Sequence, residues 1–278
     1  MPLFLPGEDP GPSFTELLRR TGRQPEVPQA SASDRFEITH GTTVVAIRYA
    51  DGVVMAGDRR ATAGNWISHR SIEKVFPADR HSGVAIAGAA GPAMEMVKLF
   101  QLQLEHYEKV EGGALSLEGK ANTLGQMVRN NLPAAMQGLG VVPLFAGYDT
   151  HREGGRLFEY DITGGRYEET RFAASGSGSM HAGTVIKIAY RESLSRDQTV
   201  DLAITALFEA ADEDSATGGP DLVRGIYPVI ATITAEGFER VLEPEIEERF
   251  RALLSELSAR EGPARLPEMS DERGDDDA

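Results

Sequence analysis

Two β-branched runs joined by Ala50-Asp51-Gly52 constrain this chain more than any other feature. Residues 43–49 (Thr-Val-Val-Ala-Ile-Arg-Tyr) and 53–58 (Val-Val-Met-Ala-Gly-Asp) read as strands, and an Asp-Gly pair between such runs is a strong hairpin signal. The antiparallel return carries Asp58 back to the start of the first strand, next to Thr42. Further strands are predicted near 72–76 and 84–87.

Helical spacing follows over 92–110, where Met96, Leu99, Leu102 and Leu104 fall on or near one face, and over 116–139, with Leu124, Met127, Val128 and Leu132. Strands resume at 142–148, 156–162 and 167–174. Two helices come next, at 179–194 and 197–211, then strands at 227–234 and 239–242 and a last helix at 244–260. Segregated blocks of strands and helices argue for α+β layers rather than alternating βαβ units.

The two ends read differently. Residues 1–41 carry Pro2, Pro6, Pro10, Pro12, Pro25 and Pro28, with one predicted helix over 13–20 that has Ser13 as N-cap and Glu16 three residues on. Otherwise this stretch has too little apolar surface to fold alone and reads as a pro-segment or flexible arm. Residues 261–278, with Asp275, Asp276 and Asp277, read as an acidic, disordered tail.

Composition narrows the chemistry. The 278 residues are 41% hydrophobic, enough for an ordinary core, and include no cysteine. Disulfides, thiolate metal sites and a cysteine nucleophile are thereby excluded. A net charge of −15 argues against nucleic acid and anionic membrane as partners. The start, Met-Pro-Leu-Phe-Leu-Pro, has neither the basic start nor the long apolar stretch of a signal peptide, and no run approaches the length of a membrane span; a cytoplasmic location is expected.

The chemistry centres on Gly41-Thr42, where the arm meets the first strand. A cut there would give Thr42 a free α-amine, which can act as base for its own hydroxyl. Threonine also simply suits a strand start. Asp58 reads equally as a turn residue or an arginine partner, and Lys74, in Ile72-Glu73-Lys74-Val75-Phe76, as an exposed lysine or as one that points into a pocket. Gly88, in Ala87-Gly88-Ala89-Ala90-Gly91, could aim a backbone N–H at an oxyanion, make a tight strand-to-helix turn, or, more weakly, cradle a phosphate.

Taken together, these residues resemble the start of 20S proteasome β subunits. The resemblance rests on Gly41-Thr42-Thr43-Val44-Val45-Ala46, on 52–60 (Gly-Val-Val-Met-Ala-Gly-Asp-Arg-Arg), and on the sixteen-residue steps from Thr42 to Asp58 and from Asp58 to Lys74. Gly176-Ser177-Gly178-Ser179 and 214–219 (Asp-Ser-Ala-Thr-Gly-Gly) resemble two later motifs of the family. The long pro-segment, 106–109 and 219–228 resemble the actinobacterial branch; short relatives of the ATP-dependent bacterial protease type begin almost at the threonine.

The resemblance, which covers 41 to about 245, implies a four-layer αββα sandwich of the N-terminal-nucleophile hydrolase type. It implies a propeptide over 1–41, a catalytic domain over 42–260, and cleavage between Gly41 and Thr42. Thr42, Asp58, Lys74, Gly88, Ser177, Asp214 and Thr217 are the implied catalytic set. Ala61, Thr62, Ile72, Ile86, Ala90 and Met94 are implied around the substrate; mostly apolar, they predict a preference for apolar residues before the cut. The implied partners are an α subunit, copies of the chain in seven-membered rings (α7β7β7α7), an ATPase ring and Pup-tagged substrates. No metal or organic cofactor is implied. Another N-terminal-nucleophile amidohydrolase acting on small amides, and an inactive structural ring subunit, are the alternatives.

Overall fold

Ten strands make two five-stranded antiparallel sheets in a computed structural model that describes residues 41–261. These residues fall within one compact unit, Ile38–Ala278. The helix predicted over 13–20 and the tail beyond 261 lie outside the described residues.

The first sheet has the order β10-β1-β2-β11-β12: Phe172–Gly176, Thr43–Tyr49, Gly52–Gly57, Val229–Thr234 and Gly237–Arg240. The second runs β5-β6-β7-β8-β9: Val75–Asp79, Ser82–Gly88, Val141–Asp149, Gly154–Tyr160 and Arg166–Glu169. A small hairpin, β3 (Ala61–Ala63) with β4 (Trp66–His69), stands apart; the sequence reading missed it, because its strands are short and β4 is exposed throughout.

The helices are α1 (Ala90–Glu111), α2 (Leu117–Asn130), α3 (Leu132–Ala135), α4 (Ser179–Ala189), α5 (Arg196–Glu213) and α6 (Glu243–Glu261). Alternation along β1 divides the core. Val45, Ile47 and Tyr49 pack with α4, α5 and α6 through Ile186, Ala203, Leu207 and Phe250. Val44 and Ala46 face the opposite way and pack with Val75, Ala85, Leu144 and Leu157 of the second sheet. The far side of that sheet, with Ile86, Phe145 and Phe158, is covered by Val97 and Phe100 of α1 and Leu124 and Val128 of α2. Strands buried on both faces explain the nearly continuous apolar runs in the sequence. The fold is α+β.

Three differences from the sequence reading have local causes. The helix expected over 116–139 stops at Asn130, because Pro133 lacks an N–H and its ring would meet the carbonyl four residues back. The single strand expected over 167–174 is two strands in different sheets, with the change of sheet at Thr170 and Arg171. Met96 and Leu104 of α1 are buried, but Leu99 and Leu102 are 50% and 61% exposed, so the apolar residues of α1 extend beyond its buried stripe. Two helix starts are capped by serines: Ser116 accepts from Gly119 N, and Ser195 with Gln198 forms a capping box one residue ahead of α5.

Candidate active site

The β1–β2 register pairs Val44 with Gly57, which puts Asp58 across from Thr43. Asp58 N donates to Thr43 O at 3.1 Å. The fully buried Asp58 carboxylate has four donors: Thr43 N (2.8 Å) and Lys74 Nζ (2.6 Å) on Oδ1, and Arg60 N (2.9 Å) and Gly218 N (2.8 Å) on Oδ2.

Lys74 lies in the loop just before β5, not within a strand, and is 2% exposed. Its ammonium donates to Asp58 Oδ1 and to the carbonyl oxygens of Arg60 (2.6 Å) and Gly41 (3.3 Å). Three acceptors match its three N–H groups. Burial pulls the Lys74 pKa below the usual lysine value, against the Asp58 charge, which holds it up.

The Thr42 hydroxyl donates to Gly41 O at 2.7 Å, and Gly41 N donates to Thr62 Oγ1 at 3.0 Å. A Cβ on Gly41 would come within 2.2 Å of Ala216 Cβ and 2.3 Å of Ala216 O, so the approach at this position requires glycine. Thr62, expected near substrate, thus sits at the Gly41 peptide, and it is not among the residues that line the adjacent cavity.

A second carboxylate comes from the far end of the chain. Ser177 follows β10, and Asp214 follows α5. Ser177 N donates to Thr42 O at 2.8 Å, and Thr42 N donates to Ser177 Oγ at 3.3 Å. Asp214 Oδ2 accepts from Ser177 Oγ and from Thr217 Oγ1 (2.6 Å), and Oδ1 accepts from Ala216 N (3.0 Å). Burial pushes the Asp214 pKa up, but the Ser177 and Thr217 hydroxyls, the Ala216 N–H and nearby His181 together bring it below the usual carboxylate value.

A small cavity opens beside Thr42. Ala61, Ile72, Ile86, Ala90 and Met94 line it, together with Glu73, Lys74 and Gly88. Larger clefts lie between α5 and α6 and along α1, away from Thr42. Gly88 ends β6 with φ +107°, and a Cβ there would lie 2.2 Å from Gly140 O. Among the described residues no group of three or more His, Asp or Glu side chains is arranged to hold a metal ion.

The geometry therefore joins Thr42, Asp58, Lys74, Ser177, Asp214 and Thr217 in one hydrogen-bonded constellation. A family model for proteasome subunits matches residues 38–223, a span that holds every one of these positions. The chain belongs to the proteasome subunit family. It is 58% identical over 248 residues to a protein of Acidimicrobium ferrooxidans named proteasome subunit beta, covering 89% of this chain and 91% of that one. A proteasome subunit beta of Streptomyces griseus is 58% identical over 228 residues, covering 82% and 81%. One of Acidothermus cellulolyticus is 58% identical over 214 residues, covering 76% and 74%.

Sequence reasoning missed Thr43, Arg60 and Gly178. Arg60 holds Lys74 with its carbonyl and, through Nη1, donates to Ser215 O at 2.9 Å, which clamps the Asp214 loop to the Asp58 loop. Gly178 N donates to Thr43 Oγ1 at 3.0 Å. A signal for Thr43 was present: a hydroxyl in a strand buried on both faces must find a partner.

Proposed function

We propose that the chain is a catalytic β subunit of a 20S proteasome, a threonine-type endopeptidase made as a precursor and activated by its own cut between Gly41 and Thr42. The observation that carries this reading is the Thr42 hydroxyl on the Gly41 carbonyl, with Lys74 Nζ on the same oxygen.

In the first reaction Thr42 Oγ attacks the Gly41 carbonyl carbon, an O–C bond forms, and the Gly41–Thr42 C–N bond breaks. Water then hydrolyses the ester, releases residues 1–41 with a Gly41 carboxylate, and leaves Thr42 with a free α-amine. In the second reaction that amine takes the hydroxyl proton as Oγ attacks a substrate carbonyl. The proton passes to the leaving amine, and water restores the hydroxyl. Gly88 N–H donates to the oxyanion, a role worth roughly 2.7–4 kcal/mol in comparable sites. Asp58 holds Lys74, Lys74 keeps Oγ nucleophilic, and Ser177, Asp214 and Thr217 support the nucleophile from the other side.

The apolar lining of the cavity supports cleavage after apolar residues. The three separate cores, one between the sheets and one under each helical face, support the four-layer αββα arrangement. Assembly is as seven-membered β rings between α rings, fed with Pup-tagged proteins by an ATPase ring in the cytoplasm. No described helix is long and apolar enough to cross a membrane. The cycle calls on no metal or organic cofactor. In this reading 42–260 is the catalytic domain and 261–278 a tail.

The deciding experiment is the intact mass of the chain in the assembled, peptide-cleaving particle. A mass that begins at Thr42 is expected, together with inhibition by a threonine-directed epoxyketone. A working protease that keeps residues 1–41 would overturn the proposal.

A further inference from the structure

We propose that Thr43, the residue after the nucleophile, is a positioning residue that ties both carboxylates of the site to Thr42. The inference rests on the function proposed above. Thr43 is fully buried. Its peptide N–H donates to Asp58 Oδ1 at 2.8 Å, and its Oγ1 lies 2.6 Å from Thr217 Oγ1.

Proton counting fixes the direction of this second contact. A hydroxyl has one proton to give. Thr217 gives its proton to the Asp214 carboxylate at 2.6 Å, a charge-assisted bond. The Thr43 hydroxyl must therefore donate to Thr217, while it accepts from Gly178 N at 3.0 Å. The result is a directed chain from Gly178 N–H through Thr43 and Thr217 to Asp214.

Ser177 closes the chain on the nucleophile. Its proton is drawn to Asp214, so an oxygen lone pair is left facing Thr42 N. Thr43 thus reaches the Thr42 nitrogen by a route that avoids the peptide bond between them. Its donation to Thr217 strengthens the Thr217 bond to Asp214 and draws charge from that carboxylate. The titratable and charged groups that interact within this network are Asp58, Lys74 and Arg60 on the hairpin side, and Asp214 and His181 on the α4–α5 side.

Thr43→Val keeps the side-chain shape and removes the hydroxyl; Thr43→Ser keeps the hydroxyl. The full-length chain is assembled with its α subunit, and mass, melting temperature, kcat, KM and the pH profile of kcat on an apolar fluorogenic peptide are measured. For Thr43→Val, kcat should fall about tenfold with KM unchanged, the scale of one lost hydrogen bond that matters in the transition state. Its acidic limb should move to higher pH, because a more negative Asp214 favours the protonated amine. Thr43→Ser should restore both.

A Thr43→Val particle with the kcat and pH profile of the parent overturns the inference. So does failure of Thr43→Ser to restore activity, which would assign the role to the methyl group. Failure of Thr43→Val to assemble while Thr43→Ser assembles would make the hydroxyl a folding element and also overturn it. A parent particle whose peptide cleavage survives Thr42→Ala would instead sink the proposed function, a distinguishable result.

Discussion

Lys74 Nζ and Asp58 Oδ1 are 2.6 Å apart in an ion pair whose side chains are 3% and 0% exposed. Removal of one partner from such a pair leaves a buried charge without compensation and costs roughly 3–5 kcal/mol. Asp58 carries the greater burden, since it also accepts the backbone N–H groups of Thr43, Arg60 and Gly218. Asp58→Ala should therefore destabilise the chain more than Lys74→Met, and both should block removal of residues 1–41. Denaturant melts and the mass of the expressed chain check this ordering.

Gly41→Ala should slow self-cleavage sharply. Its Cβ would overlap Ala216 and push the carbonyl away from Thr42 Oγ. Displacement of reacting groups by about 1 Å can cost about a hundredfold in rate, so the precursor should accumulate during expression. A time course of intact mass reads the effect directly.

Gly88→Ala should damage folding and catalysis together. At φ +107° an L side chain is strained, and the added Cβ would meet Gly140 O. A penalty of roughly 1–3 kcal/mol follows from the backbone alone. If Gly88 N–H serves the oxyanion, kcat should fall about 10²–10³-fold in particles that do assemble, with a smaller effect on KM. Steady-state kinetics on assembled particles separate the two effects.

Asp214 makes part of the stability pH-dependent. Its folded pKa lies below the unfolded value, so its contribution is present above the unfolded carboxyl pKa and is lost as pH falls through the folded one. The melting temperature of the parent should exceed that of Asp214→Asn at neutral pH, and the gap should close below about pH 4. A gap that stays constant down to pH 2 contradicts the assignment.

The cavity beside Thr42 predicts the cleavage preference. Ile72, Ile86 and Met94 offer an apolar wall, although Glu73 also lines the space. Peptides with Leu, Phe or Tyr before the scissile bond should be cleaved faster than those with Asp or Arg, as fluorogenic libraries would reveal.

The hairpin, the block order and the Thr42–Asp58–Lys74 spacing were legible because each is local or nearly so. The Asp-Gly turn sets the register that brings Asp58 to Thr43, and apolar periodicity marks the strands and long helices. Thr62 and Thr43 were harder to place. Nothing in a threonine's neighbours says whether its hydroxyl meets Gly41 N or Thr217. The split of 167–174 between two sheets was also hidden, since a strand pattern does not name its pairing partner.

The sequence by itself determined the β1–β2 hairpin, the helix start at Ser116, and a glycine ahead of Thr42. All of these follow from side-chain size, branching and hydrogen-bonding capacity over a few residues. Only the tertiary structure decided that β10 pairs with β1, which delivers Ser177 to Thr42 from 135 positions away. Only it placed Gly218 on Asp58 across 160 positions. Contacts of that range depend on which sheet edge and which core a segment finds, and those are set by packing of the whole chain rather than by any local pattern.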